Sequence, residues 1–238
     1  MAHYKRQHHN LIDQVLRSLN SELLAIHECY FAGGTAIALK YDEFRESVDI
    51  DFLVSNPESY SKLRNVLFGK GLSPIVETGY VLQHTEVRSD RYGIRTSVLL
   101  ENTQIKFEIV PIDLLQLDRP KATDVISSVM SITDTDMIAT KLIANAFRGS
   151  DKAYYNRDLL DIVFMNPVAK LLQNGRDKAL DAQGDIVLNN LKNEAEKLQA
   201  DKEWLGICLQ KLDINTNIAV CQAKIKQVVT KLNIHPRS

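Results

Sequence analysis

The sequence predicts an α+β protein of two domains: a mixed or antiparallel sheet with helices over residues 1–118, then a C-terminal helical bundle over 119–238. Three observations carry this. Strand-like alternation is dense between Tyr80 and Val110, it almost vanishes beyond Pro111, and from about residue 134 apolar positions recur at helical spacing to the end. A chain of 238 residues with 45% apolar content can supply two modest cores.

Taken in order, Leu11, Ile12, Val15, Leu16, Leu19, Leu23 and Leu24 space an opening helix over 9–28, leading into a short strand at Tyr30-Phe31. Gly33-Gly34-Thr35 then turns the chain into a second helix, and Val48–Val54 reads as a strand. Ser55-Asn-Pro-Glu-Ser is a turn and cap signal for a helix carrying Tyr60, Leu63, Val66 and Leu67, which ends at Gly69 to Gly71. Strands are expected at Tyr80-Val-Leu, Thr85-Glu-Val, Ile94–Leu100 and Gln104–Val110, with breaks at Arg88–Gly93 and Glu101-Asn-Thr. Asp118-Arg-Pro-Lys reads as a linker. Helices follow over 134–147, 156–165, 167–182, 185–199, 201–212 and 216–232, with their leucines and Trp204 as bundle core.

The chemistry concentrates in two short motifs. On a strand, side chains alternate between faces, so Asp49 and Asp51 share one side while Val48, Ile50 and Phe52 enter the core. Two converging carboxylates repel each other unless a cation sits between them, and an oxygen-rich pair beside a phosphate is a usual Mg²⁺ site. The phosphate cradle is Gly33-Gly34, whose backbone N–H groups can approach an anion near a helix start, with Thr35 available to cap that helix or touch a phosphate. Glu108 shares its strand face with Lys106, and offers a third acid if that strand lies beside Val48–Val54. On the 134–147 helix, Lys141, Asn145 and Arg148 form one stripe, so Lys141 can reach a triphosphate with Arg148 in support.

Composition excludes other classes. Lys and Arg total 29 against 30 Asp and Glu, a net charge of −1, so any nucleic-acid contact must be local. No apolar run approaches the roughly 20 residues of a membrane span and the first residues lack a signal-peptide core, so a cytoplasmic protein is expected. Cys29, Cys208 and Cys221 lie far apart without metal or redox spacing and read as buried reduced thiols. The His8-His9 pair reads as an exposed terminal feature.

The order Gly33-Gly34-Thr35, Arg45-x-Ser47-x-Asp49-x-Asp51, Ile105-Lys106-Phe107-Glu108, Lys141 and Arg157-Asp158 resembles that of the AbiEii/AbiGii nucleotidyltransferase toxins of bacterial abortive-infection and toxin–antitoxin systems. The resemblance spans roughly residues 25–165. It implies a DNA-polymerase-β-like nucleotidyltransferase domain, followed by a helical bundle that contributes Lys141 and Asp158 to the active site. It also implies Mg²⁺ or Mn²⁺, a nucleoside triphosphate co-substrate, and Asp49 and Asp51 as metal ligands. Lys106 and Glu108 then occupy the second motif, Lys141 the third and Asp158 the fourth, with Arg45 and Ser47 assigned to nucleotide binding. The segment Tyr41-Asp-Glu-Phe-Arg45 departs from a shorter glycine- or histidine-containing turn in many members.

The resulting expectation is transfer of a nucleoside monophosphate from the triphosphate to a hydroxyl, with Glu108 acting as metal ligand or as base. The resemblance points to the 3′ end of tRNA as acceptor, and to an antitoxin as protein partner. Lys62, Arg64, Arg88, Arg91 and Arg95 are candidates for a basic rim. The rival readings are nucleotidylation of a protein or small molecule, and a non-catalytic nucleotide-binding module that docks a partner.

Overall fold

The computed structural model describes residues 4–233. The chain forms two compact units, one made of residues up to Glu43 with Ser47–Thr133, the other of Phe44–Glu46 with the residues from Asp134 onward. The first unit thus runs past the expected boundary at residue 118. The reason is a small hairpin, β7 (Val125–Ile126) and β8 (Val129–Met130), whose short strands lack the long alternation that marks a strand in sequence. Beyond it, the Ile132 N–H donates to the Phe31 carbonyl at 3.0 Å, tying the segment to the first unit.

That unit opens with two helices rather than one, α1 (Gln7–Arg17) and α2 (Ser21–Ile26). The break falls at Asn20, whose side chain accepts from the Leu23 N–H and so starts a new helix. Strand β1 (Tyr30–Ala32) leads directly into α3 (Gly33–Lys40), and β2 (Ile50–Val54) into α4 (Pro57–Leu67), capped by Asn56 with proline in its first turn. Then come β3 (Gln83–His84), β4 (Arg88–Asp90), β5 (Gly93–Leu100) and β6 (Thr103–Pro111). Tyr80-Val-Leu is exposed loop, whereas Arg88-Ser-Asp, expected as a break, is a strand: its alternation is polar because it lies on the outer edge of β5.

The sheet order is β1-β2-β6-β5-β3, with β4 also paired to β5. All pairs are antiparallel except β2 with β6, which run parallel and place Asp51 opposite Glu108. One face is dry. Ile50, Phe52, Ile94, Ile105, Phe107 and Ile109 are fully buried, and the Phe52 ring lies 5.6 Å from both Phe31 and Phe107, within the range of favourable aromatic contact. Val48 is the exception to the expected pattern: it precedes the strand and is 44% exposed.

The second unit is helical: α5 (Asp134–Arg148), α6 (Arg157–Met165), α7 (Ala169–Gln183), α8 (Ile186–Ala200), α9 (Lys202–Lys211) and α10 (Ile218–Lys231). Helix α5 is its centre, packing on α6, α7 and α8. Gly175 of α7 makes that approach possible, since a Cβ there would stand 2.5 Å from Ile138 Cγ2. Asp201 and Asn217 cap α9 and α10 through the N–H groups of Trp204 and Val220. The three cysteines are free and buried; burial pushes the Cys208 thiol up to about 12 and the Cys221 thiol up to about 11. Among the described residues, no helix is long and apolar enough to cross a membrane.

Candidate functional site

The polar face of the sheet carries a cross-strand row whose charged members come from four strands. Register places Ala32 beside Asp51, Asp51 beside Glu108, Glu108 beside Arg95 and Arg95 beside Arg88. Asp51 alternates with the buried Ile50 and Phe52, so the hydrophobic face of β2 fixes the direction of its carboxylate.

Gly33 stands next to that carboxylate. Its φ of +77° lies in the left-handed region, and a Cβ at this position would meet Asp51 Oδ2 at 2.5 Å. Both facts require glycine: the backbone bends sharply from β1 into α3, and the open Cα lets Asp51 approach the helix start. Gly34 follows at the first turn of α3. Thr35 is turned inward, fully buried, and its hydroxyl donates to Ser47 Oγ at 2.9 Å. It therefore braces the loop before β2; the α3 N-terminus has no side-chain cap.

A second brace comes from His9, the residue expected to be exposed. It is completely buried, with Nδ1 2.8 Å from Glu43 Oε1, while Nε2 accepts the Ser47 N–H at 3.2 Å. An Nδ1–H tautomer satisfies both contacts, donating to Glu43 and accepting from Ser47. Burial pushes the Glu43 carboxyl upward, but the backbone N–H groups of Lys5 and Arg6 together with His9 outweigh this and hold it below its ordinary range. Asp42 and Glu43 adopt left-handed backbone, φ 59° and 52°, to make this turn. No local signal announces a pair so distant in sequence.

Glu108 is gripped from two sides, by Arg95 Nε at 3.1 Å and Lys106 Nζ at 2.6 Å. For Lys106, partial burial favours the neutral amine, but Glu108, Asp49 and Asp51 act together to raise its pKa. Both aspartates are thus close enough to be felt at this ammonium. Among the described residues, no three His, Cys, Asp or Glu side chains are gathered into a group that could hold a metal ion. The expected trio of Asp49, Asp51 and Glu108 forms no such group, because the Glu108 oxygens are engaged by cations. The Asp49 and Asp51 pair remains the donor set suited to Mg²⁺, an ion that takes one or two carboxylates and completes its shell with phosphate oxygens and water. Of the expected basic rim, Arg88 and Arg95 are neighbours in register, whereas Lys62 pairs with Glu58 one helical turn away.

In the helical unit, the remaining candidates form a buried ladder of alternating charge. Arg45 donates to both oxygens of Asp161, at 2.6 and 3.1 Å. Lys141 Nζ lies 2.7 Å from Asp161 Oδ2 and 3.0 Å from Asp158 Oδ1, and Arg148 clasps Asp158 through Nε at 2.7 Å and a second nitrogen at 2.9 Å. Burial opposes charge on Asp158, but Lys141 and Arg148 overcome it and hold the carboxyl well below the usual carboxylate range. Burial likewise opposes charge on Arg45, and Asp161 more than restores it. The hub is Asp161, which the spacing Asp158-x-x-Asp161 already places on the same helical face as Asp158. With three cations against two anions, the ladder carries one positive charge in excess.

Comparison with other proteins accords with this arrangement. Two crystal structures of Helicobacter pylori proteins have a similar fold. One, described as a candidate nucleotidyltransferase, is 19% identical with a TM-score of 0.56, covering 96% of this chain and 98% of its own. The other, JHP933, is 18% identical with a TM-score of 0.59, covering 96% and 94%. No curated protein matches the sequence. Residues 14–208 match the family described as nucleotidyl transferase AbiEii toxin, type IV toxin–antitoxin system. That stretch takes in the glycine turn, the acid row and the charge ladder alike, and the chain belongs to the AbiEii nucleotidyl transferase toxin family.

Proposed function

We propose that this toxin transfers a nucleoside monophosphate from a nucleoside triphosphate to the 3′ end of tRNA, using Mg²⁺ or Mn²⁺. Family membership gives the reaction class. The observation that supports the rest is the row from Gly33 and Asp51 through Glu108 to Arg95 and Arg88, which sets a phosphate cradle, paired acids and a basic edge side by side on one sheet.

Asp49 and Asp51 would hold the metal together with triphosphate oxygens. When bound, the ion polarises the α-phosphoryl group and neutralises the departing pyrophosphate. Gly33 and Gly34 leave the backbone open at the start of α3, where N–H groups grip the outer phosphates. Lys106, kept protonated by the surrounding acids, supplies positive charge where the leaving group develops it. Glu108 orients Lys106 and Arg95. Arg88 lies beyond Arg95 in the same row and, with Arg95 paired to Glu108, would extend positive charge toward the sheet edge, where a polyanionic backbone could meet it. The cognate antitoxin of such a system is the expected protein partner.

The test is incubation with each α-labelled nucleoside triphosphate in turn, in the presence of total RNA and total protein, with metal and with chelator. Label in tRNA-sized RNA, lost on chelation, is expected. Label in protein or small molecules alone would overturn the acceptor assignment, and transfer that survives chelation would overturn the metal assignment.

A further inference from the structure

Asp51 and Asp49 are held in different ways. Asp51 lies inside the ladder, paired with Ala32 on one side and Glu108 on the other. Asp49 lies immediately before β2, in a stretch that belongs to no strand, and Val48 ahead of it is 44% exposed and gives that stretch no apolar anchor. What grips it is the start of α1. His8 Nε2 donates to the Val48 carbonyl at 3.0 Å, and His9 Nε2 accepts the Ser47 N–H at 3.2 Å. The same ring nitrogen is therefore protonated in His8 and bare in His9. Glu43 sets the second state, because its Oε1 lies 2.8 Å from His9 Nδ1 and draws the proton to that side, while the Lys5 and Arg6 N–H groups hold Glu43 in turn. Helix α1 is anchored without these contacts, by the buried Leu11, Ile12, Val15 and Leu16.

From this geometry we infer that His8 and His9 are positioning residues for Asp49. By fixing the backbone of the two residues before it, they set where its carboxylate stands relative to that of Asp51, a task the sheet performs for Asp51 alone. An ion bound through so few carboxylates depends on both being in place, and groups that orient metal ligands are typically worth about 10–100-fold in metal affinity. The inference rests on the reading of Asp49 and Asp51 as the metal pair. Every residue it uses lies in the first unit.

Titration of the full-length protein with Mn²⁺, followed by the electron paramagnetic resonance of the free ion, tests it without any assay of transfer. His9→Asn and His9→Gln divide the two contacts of the ring. The shorter amide reaches the place of Nδ1 and still serves Glu43, whereas the longer one reaches the place of Nε2 and still accepts from Ser47. Each variant loses one hydrogen bond, so melting temperatures should fall alike. Mn²⁺ affinity should fall about tenfold or more in His9→Asn and stay near that of the unsubstituted protein in His9→Gln. His8→Phe keeps a ring without Nε2 and should also weaken Mn²⁺ binding; because His8 is only half-buried, this variant decides the matter if those at His9 do not fold. Asp49→Asn is the reference. If it binds Mn²⁺ as tightly as the unsubstituted protein, the metal assignment falls and this inference with it. If it binds weakly while the folded histidine variants bind normally, or if His9→Asn and His9→Gln lose affinity equally, the inference alone is overturned.

Discussion

Asp51 and Lys141 are both charged residues on well-packed elements, yet their surroundings give them opposite consequences. Asp51 lies on the polar sheet face beside another carboxylate, so Asp51→Ala removes one of the two ligands proposed for the metal and relieves repulsion. Transfer should fall below detection in the labelling assay while the melting temperature holds or rises; retained activity at saturating Mg²⁺ would remove Asp51 from the site. Lys141 instead stands between two buried carboxylates, and Lys141→Ala removes the ammonium they share while leaving Asp158 with Arg148 and Asp161 with Arg45. Loss of those two charge-assisted contacts should cost about 1–3 kcal/mol of unfolding free energy in denaturant titration. The same ladder predicts acid sensitivity. Asp158 has a depressed folded pKa, so its stabilisation is present above the unfolded value near about 4 and is lost as pH falls through the folded value. Melting temperature should therefore drop below about pH 4, and less steeply in Asp158→Asn. Sequence spacing was enough to place Asp51 and Glu108 on the face of their strands opposite the buried residues, because period-two alternation is a local property, but not Asp49, which lies just before β2. It could not show that Arg45, Thr35 and His9 are turned inward, since their partners Asp161, Ser47 and Glu43 are fixed by tertiary packing.

At the level of elements, long periodic segments were the legible ones. The six helices after residue 134 fall within a residue or two of the spacing-based expectation, because each buries a continuous apolar stripe. Short strands were not legible: β4 is polar and exposed along its length, and β7 and β8, though apolar, have two residues each. Gly175 illustrates a related blind spot, a helix-interior glycine that propensity alone would replace with alanine. In an isolated helix that change would stabilise by about 1 kcal/mol. Here the added Cβ meets Ile138 and the Thr135 carbonyl, at 2.5 and 3.1 Å, so α5 and α7 must separate. Gly175→Ala should lower stability by about 1–3 kcal/mol, read as a lower denaturant midpoint at unchanged slope.

For the whole molecule, the boundary after Thr133 makes a definite prediction about truncation. A chain ending at Arg119 lacks β7, β8 and the Ile132 bond to Phe31, leaving the β1 edge without that neighbour. It should aggregate more readily, and melt lower, than a chain ending at Thr133, compared side by side by light scattering and thermal denaturation. Equal behaviour would return the boundary to residue 119. The parallel pairing of β2 with β6 has a further consequence, in the time course of folding. Hairpin β5–β6 closes over a two-residue turn and is local, whereas β2 must find β6 across the whole of α4 and three intervening strands. Local contacts form early and distant ones late. Asp51 and Glu108 therefore meet near the end of folding, and a polypeptide still emerging from the ribosome carries the glycine turn and both aspartates without the row that completes them. The row from Asp51 to Arg95 is complete only once β6, the central strand of the sheet, has been made and has docked on β2.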